Sequence, residues 1–204
     1  MTDTGSVRFF DEQFRRQAAA GEFALNPFEQ RALPYLQGSV LELGCGMGNL
    51  SIAAAERGAR VLALDASPAG IESLAARAKD RDLAIDARCA DLGDYTPPGA
   101  FDAVVAIGLF MFFPCATARR QLSRALAAVR PGGIAVLNVL IEGTTFMGMF
   151  DAERGYCLFG EDELRAAFGG WQALEDRIEQ FDAPGGTVKR FRTAMARRPK
   201  EKRL

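Results

Sequence analysis

Residues 40–51 read VLELGCGMGNLS, and this stretch decides how the rest of the chain is organised. A short apolar run containing the acid Glu42 is followed by glycines at alternate positions, from Gly44 to Gly48, and then by a helix-like pattern. Alternate glycines after a strand let the backbone turn sharply and approach a ligand with no Cβ in the way. A nicotinamide-binding turn more often reads GxGxxG, whereas this one reads ExGxGxG. A glycine-rich turn also occurs in ordinary strand-to-helix loops, so its meaning depends on what surrounds it.

Composition excludes several classes of function. The 204 residues are 49% hydrophobic and 25% charged, which is typical of one globular domain, and the net charge of −1 gives no electrostatic reason to expect a nucleic-acid partner. Histidine is absent, which excludes Ser-His-Asp catalysis, histidine metal ligands and a histidine general base. We therefore expect no metal site.

The cysteines and the first residues predict a cytoplasmic protein. Cys45, Cys89, Cys115 and Cys157 are scattered with no CxxC pair, so we expect reduced thiols and neither a disulfide framework nor a zinc site. The start, MTDTGSVRFFDEQF, is polar and acidic, unlike a signal peptide, and no apolar run is long enough to span a membrane.

Strand-like and helix-like segments alternate five times along the chain. The predicted strands are 39–43, 59–65, 82–91, 101–108 and 134–140, with RPGG at 130–133 as a turn. Such alternation predicts an α/β fold: a doubly wound, mostly parallel, Rossmann-like sheet with helices on both faces. WQALEDRIEQF and VKRFRTAMARR, separated by APGG, predict a C-terminal antiparallel hairpin. We expect a single domain over residues 1–204, with a helical cap at 1–38 and the core at 39–204.

Two acids fall at the ends of predicted strands. Ligands of open α/β sheets bind beyond the carboxyl ends of the strands, where Gly44–Gly48, Asp65, Asp91 and Ile107-Gly108 lie. Asp65 follows Gly44 at the spacing that lets a carboxylate accept both hydroxyls of a ribose. Asp91 is placed to accept a hydrogen bond from an exocyclic amine such as that of adenine. Each acid taken alone is more often a turn former or helix cap, but the ordered combination favours a nucleoside site.

These residues resemble the class I S-adenosylmethionine-dependent methyltransferases. The resemblance covers VLELGCGMGNL, VLALDAS, CADL, FDAVVA and VRPGGIAVLNVL, and the tail looks like the tellurite-resistance-type branch. It implies S-adenosylmethionine as cofactor and twelve residues that bind it: Glu42, Gly44, Cys45, Gly46, Asn49, Asp65, Ala66, Ser67, Asp91, Leu92, Ile107 and Gly108. Glu42 has an alternative interpretation as a strand-end residue that caps nearby amides.

The methyl acceptor is predicted to be a small molecule, such as a thiol, a selenium or tellurium species or a metabolite. Three segments can cover the reacting methyl: the N-terminal helix, residues 142–156 and the terminal hairpin. Together with the aromatic cluster after the fourth strand, they supply the candidate acceptor residues Phe10, Phe14, Phe112, Thr144, Phe146 and Tyr156. Arg15 and Arg190 are the cations expected to face inward, which would suit an anionic acceptor.

Other interpretations remain open. They are RNA or protein methylation, a cofactor-binding regulatory module without transfer activity and, last, a nicotinamide dehydrogenase. Pro114-Cys115 resembles the nucleophile of cytosine-C5 methyltransferases, but we interpret it as structural. The basic tail RRPKEKRL (197–204) is interpreted as a solvated terminus.

Overall fold

A computed structural model describes residues 5–150 and 155–200 of the chain. Seven strands form one sheet in the order β3-β2-β1-β4-β5-β7-β6. Neighbours from β3 to β5 run parallel, and β7 is antiparallel to both β5 and β6. The strands are β1 Ser39–Leu43, β2 Arg60–Asp65, β3 Ile85–Cys89, β4 Phe101–Ile107, β5 Val129–Leu140, β6 Gln172–Ala183 and β7 Thr187–Arg197.

Two helices precede the first strand and others connect the strands, and two of the helices begin at side chains that cap them. Ser67 accepts a hydrogen bond from the Gly70 amide at the start of the fourth helix, and Asn26 and Glu29 form a capping box around the second. The helices are α1 Gly5–Ala20, α2 Pro27–Ala32, α3 Asn49–Glu56, α4 Pro68–Asp80, α5 Cys115–Ala127 and α6 Glu163–Ala167, with short 3₁₀ turns at Leu33–Tyr35, Phe110–Phe112 and Pro184–Gly186.

Side chains of the central strands alternate between two hydrophobic cores, one on each face of the sheet. Leu41, Val104 and Leu137 lie in one core with residues of α5. Their chain neighbours Val40 and Val105 lie in the other core with residues of α3 and α4. Both faces are therefore covered, as the alternating pattern predicts for a parallel sheet.

The N-terminal cap differs from the rest of the fold because its first helix is not packed into either core. No residue of α1 is buried, although α2 and the turn after it contribute Ala32, Leu33 and Leu36 to a core. Hence α1 lies on the surface of the sheet domain, and its role is found at the carboxyl edge of the sheet.

Cys115 and Cys157 form a disulfide bond, so the prediction of four reduced thiols is wrong. Cys115 begins α5. Cys157 lies in the segment after β5, where the Cys157 amide donates to the Met111 carbonyl at 3.0 Å. The fold thus brings together two residues that are 42 positions apart, to a Cα–Cα distance of 4.7 Å. Spacing in the sequence cannot reveal such a pair. Cys45 and Cys89 take no part in this bond.

Two further segments differ from prediction. The predicted turn at 130–133 belongs to β5, which begins at Val129 and meets β4 with a register shift, because RPGG forms an irregularity within the strand. In the basic tail, Arg197 belongs to β7, and Arg198 donates to the carbonyls of Ala127 and Val129. This part of the tail is anchored, while Lys202 and Arg203 lie outside the described residues. Within the described ranges, no helix is long and apolar enough to cross a membrane.

Candidate functional site

A cavity of 840 Å³ opens at the carboxyl edge of the sheet. The strand register aligns the ends of β1, β2 and β4 there, since Leu43 pairs with both Leu64 and Ala106. All twelve residues assigned to the cofactor line this cavity: Glu42, Gly44, Cys45, Gly46, Asn49, Asp65, Ala66, Ser67, Asp91, Leu92, Ile107 and Gly108. Their roles stay predictions, but the fold does bring them together.

The glycine turn between β1 and α3 is held by backbone hydrogen bonds. The amides of Gly44 and Cys45 donate to the Leu64 carbonyl at 2.8 and 3.0 Å, and the Gly48 amide donates to the Cys45 carbonyl at 2.8 Å. Gly46 has φ +55°, a region that other residues rarely adopt, and a Cβ there would lie 2.9 Å from Phe14. Both the turn and the approach of α1 therefore require glycine.

Asp65 ends β2 and links the glycine turn to α4. Its two carboxylate oxygens accept from the amides of Gly46 at 2.7 Å and Ser67 at 2.8 Å. Burial raises the pKa of Asp65, and the backbone hydrogen bonds from Ser67 and Gly46 partly offset that rise. A carboxylate has about four lone-pair sites, so Asp65 retains acceptor capacity toward the cavity that it lines.

Glu42 lies one residue before the end of β1 and is 5% exposed. The Ser51 hydroxyl donates to its carboxylate. Burial raises the pKa of Glu42 to about 8, and the neighbouring carboxylates Glu29 and Asp65 contribute to that rise. Burial also raises the pKa of Cys45, together with the charges of Asp65 and Glu42, which disfavours a reactive thiolate in the cavity.

The third and fourth strands complete the same edge. Asp91, two residues after β3, accepts from the Gly93 amide at 2.9 Å and lines the cavity. The Gly108 amide donates to the Asn138 carbonyl at 3.1 Å, which fixes the chain directly after β4. These contacts hold the backbone on both sides of the cavity mouth.

Helix α1 closes the cavity and is fastened by one carboxylate. Phe10 and Phe14 line the cavity from this helix. Asp11 accepts from the Ser67 hydroxyl at 2.7 Å and from the Ala69 amide at 2.9 Å, so it caps the start of α4. Burial raises the pKa of Asp11, but the hydrogen bonds from Ser67, Ala69 and Arg15 outweigh that effect and lower it overall. We call this contact the Asp11 latch.

An aromatic wall extends from the cavity to the surface. Ring centroids of Phe10 and Phe112 lie 5.1 Å apart, and those of Phe112 and Phe150 lie 5.6 Å apart. Phe150 stacks on Tyr156 at 4.7 Å. Phe10 and Phe112 line the cavity, whereas Phe150 and Tyr156 lie behind them toward the surface.

The remaining acceptor candidates do not line the cavity. Thr144 accepts from the Arg190 amide at 3.0 Å, and Phe146 lies beneath the Lys189 ammonium at 4.5 Å. Arg190 itself donates to the Glu142 carbonyl at 2.8 Å and pairs with Glu161. Contacts at the hairpin therefore hold Thr144, Phe146 and Arg190 away from the cavity.

The Arg15 side chain was predicted to face the cavity, but it points to the surface. This side chain is 61% exposed and pairs with Asp11 one helical turn earlier, because Phe14 and not Arg15 lies on the cavity face of α1. Neither candidate cation faces the cavity, so the structure gives no support to the expectation that one would.

Several lining residues were missed by the sequence interpretation, notably Glu22, Asn26 and Glu29 in the cap and Leu109 and Phe113 after β4. The N-x-x-E pattern of Asn26 and Glu29 does signal a helix start. Nothing in the sequence signals that this helix start lies against the glycine turn.

Comparison with known proteins finds one family whose members resemble part of this chain. Residues 40–133 match the model of a family described as "Methyltransferase domain". The chain is 39% identical over 103 residues to a cypemycin N-terminal methyltransferase of a Streptomyces species, which covers 49% of this chain and 41% of that protein. It spans about half the length of the curated relatives that it matches.

Solved structures share the fold. TehB from Haemophilus influenzae has a TM-score of 0.73 at 19% identity, covering 86% of this chain and 62% of that one. The N-methyltransferase NodS from Bradyrhizobium japonicum WM9, in complex with S-adenosyl-L-homocysteine, has a TM-score of 0.68 at 18% identity, covering 94% and 99%. At such identities the likeness extends to the fold alone.

Proposed function

We propose that this chain is a class I S-adenosylmethionine-dependent methyltransferase and transfers a methyl group from S-adenosylmethionine to a small-molecule acceptor. The match of residues 40–133 to the methyltransferase-domain family supports this proposal. The observation that carries the proposal is the meeting of the glycine turn, Asp65 and Asp91 in one cavity. A dinucleotide site does not require the third of these elements. A cavity of 840 Å³ bounded by a surface helix also favours a small acceptor.

The residues present fit this cofactor. Asp65 keeps lone pairs for two ribose hydroxyls, and Asp91 offers a carboxylate to an exocyclic amine. The glycine turn leaves open backbone where the methionine end would lie, near Glu42. Carboxylates also suit a ligand whose sulfonium is cationic.

The chain's task in such a reaction is orientation. Bound S-adenosylmethionine supplies a methyl group that is already activated by its sulfonium. Orienting two reactants can contribute about 7–11 kcal/mol to lowering the barrier, and no histidine is needed for it. The backbone at Ile107-Gly108, fixed by its hydrogen bond to Asn138, would hold the reacting end, while α1 would cover part of the cavity.

A cytoplasmic location, a single domain and the absence of a nucleic-acid partner remain part of the proposal. The cysteine argument for the cytoplasm no longer supports it, because Cys115 and Cys157 are bonded. The remaining support for a small-molecule role is the size of the cavity and the balanced net charge.

Calorimetry with S-adenosylhomocysteine and NAD tests the cofactor. We expect S-adenosylhomocysteine to bind at micromolar concentration, about −8 kcal/mol at 1 μM, and NAD not to bind. Binding of NAD without any response to S-adenosylhomocysteine would overturn the proposal.

A second measurement tests transfer. Methyl-labelled S-adenosylmethionine is incubated with thiols, selenite, tellurite, phenols and amines, and labelled products are counted. Binding without any transfer would favour the alternative of a regulatory module.

A further inference from the structure

The cavity is lined by acids, although burial raises the pKa of Glu42 to about 8 and so leaves this one acid mostly uncharged near pH 7. Among the described residues that line it, six are carboxylic acids and none is lysine or arginine. The acids are Glu22, Glu29, Glu42, Asp65, Asp91 and Asp94. Glu42, Asp65 and Asp91 are accounted for by the proposed cofactor, so Glu22, Glu29 and Asp94 remain without a role in holding it.

Nearby cations approach from outside the cavity, and one of them, Arg124, pairs with the exposed Asp94 at 3.2 Å. Arg15 pairs with Asp11 on the outer side of α1. Arg77 donates to the Met47 carbonyl and to Asn49 at 3.1 Å, behind the glycine turn, and Arg120 donates to the Gly93 carbonyl at 3.0 Å. The start of α5 borders the cavity, but a helix amino terminus is worth only about half a positive charge.

The part of the cavity that the cofactor would leave free is aromatic. Phe10 and Phe112 line it with ring centroids 5.1 Å apart, and Phe14, whose ring is 5.8 Å from that of Phe10, lies against Gly46 of the glycine turn. Aromatic faces attract cations. No arginine or lysine among the described lining residues occupies the faces of these rings. A cavity lined by both aromatic rings and carboxylates suits an organic ammonium group.

We propose that the methyl acceptor is an organic amine that enters as its ammonium ion, so that the enzyme is an N-methyltransferase; this rests on the methyltransferase function proposed above. The ammonium first loses one proton to water at the open mouth. The freed nitrogen lone pair then bonds to the methyl carbon while the carbon–sulfur bond breaks, and that bond's electron pair stays on sulfur. The products are a methylated ammonium ion and neutral S-adenosylhomocysteine, and no oxidant or reductant is required.

Anionic acceptors are disfavoured by the same features. Selenite, tellurite, a carboxylate or a phenolate would approach several like charges with no facing cation. Repulsion of this kind is how sites reject a wrong partner of similar shape. The acidic lining therefore acts as a filter on the charge of the acceptor.

Matched probes test this filter on the protein saturated with S-adenosylhomocysteine. Phenethylamine, 2-phenylethanol and 3-phenylpropanoate share a ring and a short chain but differ in charge. We expect calorimetry to show phenethylamine binding at least about tenfold more tightly than 3-phenylpropanoate. This preference should shrink as salt is added. Equal or tighter binding of the carboxylate, or no binding of the amine at millimolar concentration, overturns the inference.

Variants test the location. Phe112→Leu keeps an apolar side chain without an aromatic face, and it should weaken phenethylamine binding about fivefold while leaving the affinity for S-adenosylhomocysteine unchanged. Phe181→Leu, at an aromatic residue 38% exposed and away from the cavity, is the control and should change neither. If both variants behave alike, the aromatic wall does not bind the amine.

Failure of this inference is distinguishable from failure of the proposed function. If S-adenosylhomocysteine does not bind, the methyltransferase proposal fails. If it binds and labelled methyl is transferred to tellurite, a thiol or a phenol in preference to every amine, only the acceptor class is wrong.

Discussion

The two halves of the cavity are built in different ways. The cofactor half consists of strand ends and the turns directly after them, from Gly44 to Gly108. The acceptor half is assembled from α1, the 3₁₀ turn after β4 and the segment after β5, which are distant in sequence. Parallel strands place their carboxyl ends at one edge by topology alone, whereas the second half depends on how surface segments pack.

The two halves also differ in what holds them. Backbone hydrogen bonds to Leu64 and Asn138 fix the cofactor half. The acceptor half depends on the Asp11 latch, ring contacts and one disulfide bond, and α1 has no buried residue. Segments with few buried contacts open at low free-energy cost, so we expect the cofactor half to be rigid and α1 to open.

Replacing Asp65 by Ala should give the largest effect. The variant loses the acceptor of the proposed ribose hydroxyls, and charge-assisted hydrogen bonds contribute roughly 1.5–3 kcal/mol each. We expect the affinity for S-adenosylhomocysteine, measured by calorimetry, to fall by at least about a hundredfold. Asp86→Ala, at an exposed acid on β3 paired with Arg88, is the control and should bind normally. Unchanged affinity of the Asp65 variant would reduce that residue to a turn-forming role.

Glu42→Gln should change how stability depends on pH. Because the pKa of Glu42 is raised in the folded state to about 8 from 4.5, the folded protein binds its proton more tightly. The resulting stabilisation is fully present below pH 4.5 and is lost as pH rises through about 8. We expect the parent to lose on the order of a few kcal/mol across this window, and the variant to lose far less.

Chemical unfolding at several pH values between 5 and 9 measures this difference. Glu56→Gln changes an exposed acid paired with Arg81 and should follow the parent. A Glu42 variant whose stability falls with pH as steeply as the parent's would show that another group causes the loss.

Asp11→Ala should open the latch. Loss of a helix cap costs about 1 kcal/mol, which corresponds to roughly fivefold faster amide exchange. We expect this increase in α1 and a weaker affinity for S-adenosylhomocysteine. The exposed neighbour Glu12→Ala is the matched control on the same helix.

The latch should also respond to acid. Because the pKa of Asp11 is lowered on folding from 3.8, its stabilisation is present above that value and is lost as pH falls below it. In the parent, the protection of α1 amides, corrected for the intrinsic exchange rate, should therefore fall below about pH 4. An α1 that exchanges at the same rate in parent and variant would mean that the aromatic contacts alone hold it.

Arg190→Ala should give the smallest effect on function. Its ion pair with Glu161 is partly exposed, and such pairs contribute roughly 0–1 kcal/mol to stability. We expect turnover and cofactor affinity within about twofold of the parent, because the side chain lies outside the cavity. A fall of tenfold or more at unchanged stability would instead place the acceptor beside the hairpin.

The sequence predicted best what topology and local pattern determine. The residues from Gly44 to Gly108 were found because they lie at the ends of strands or shortly after them, and the hairpin was found because APGG separates two strand-like runs. Irregular backbone was harder: RPGG has the composition of a turn, yet it continues β5 because β4 and β7 pair with the strand around it.

Surface packing and side-chain direction account for the other errors. Aromatic spacing correctly predicted that Phe10 and Phe14 lie at the cavity. Arg15 was predicted to face inward with them, but it follows Phe14 by one position and so lies on another face of the helix. The pairing of Cys115 with Cys157 arises from the return of the chain after β5 and leaves no local signal.

The acceptor entrance can exist in an oxidised form, with the Cys115–Cys157 bond, and in a reduced form without it. Pro114 at the cavity rim precedes Cys115, and Tyr156 of the aromatic wall precedes Cys157, so one covalent bond joins the rim to its outer support. Reduction would let the two segments move independently while leaving the cofactor half intact. A thiol reductant in the assay buffer is consequently a variable that acts on the acceptor pocket itself. Assays of several acceptors with and without a reductant would therefore test two different forms of the entrance.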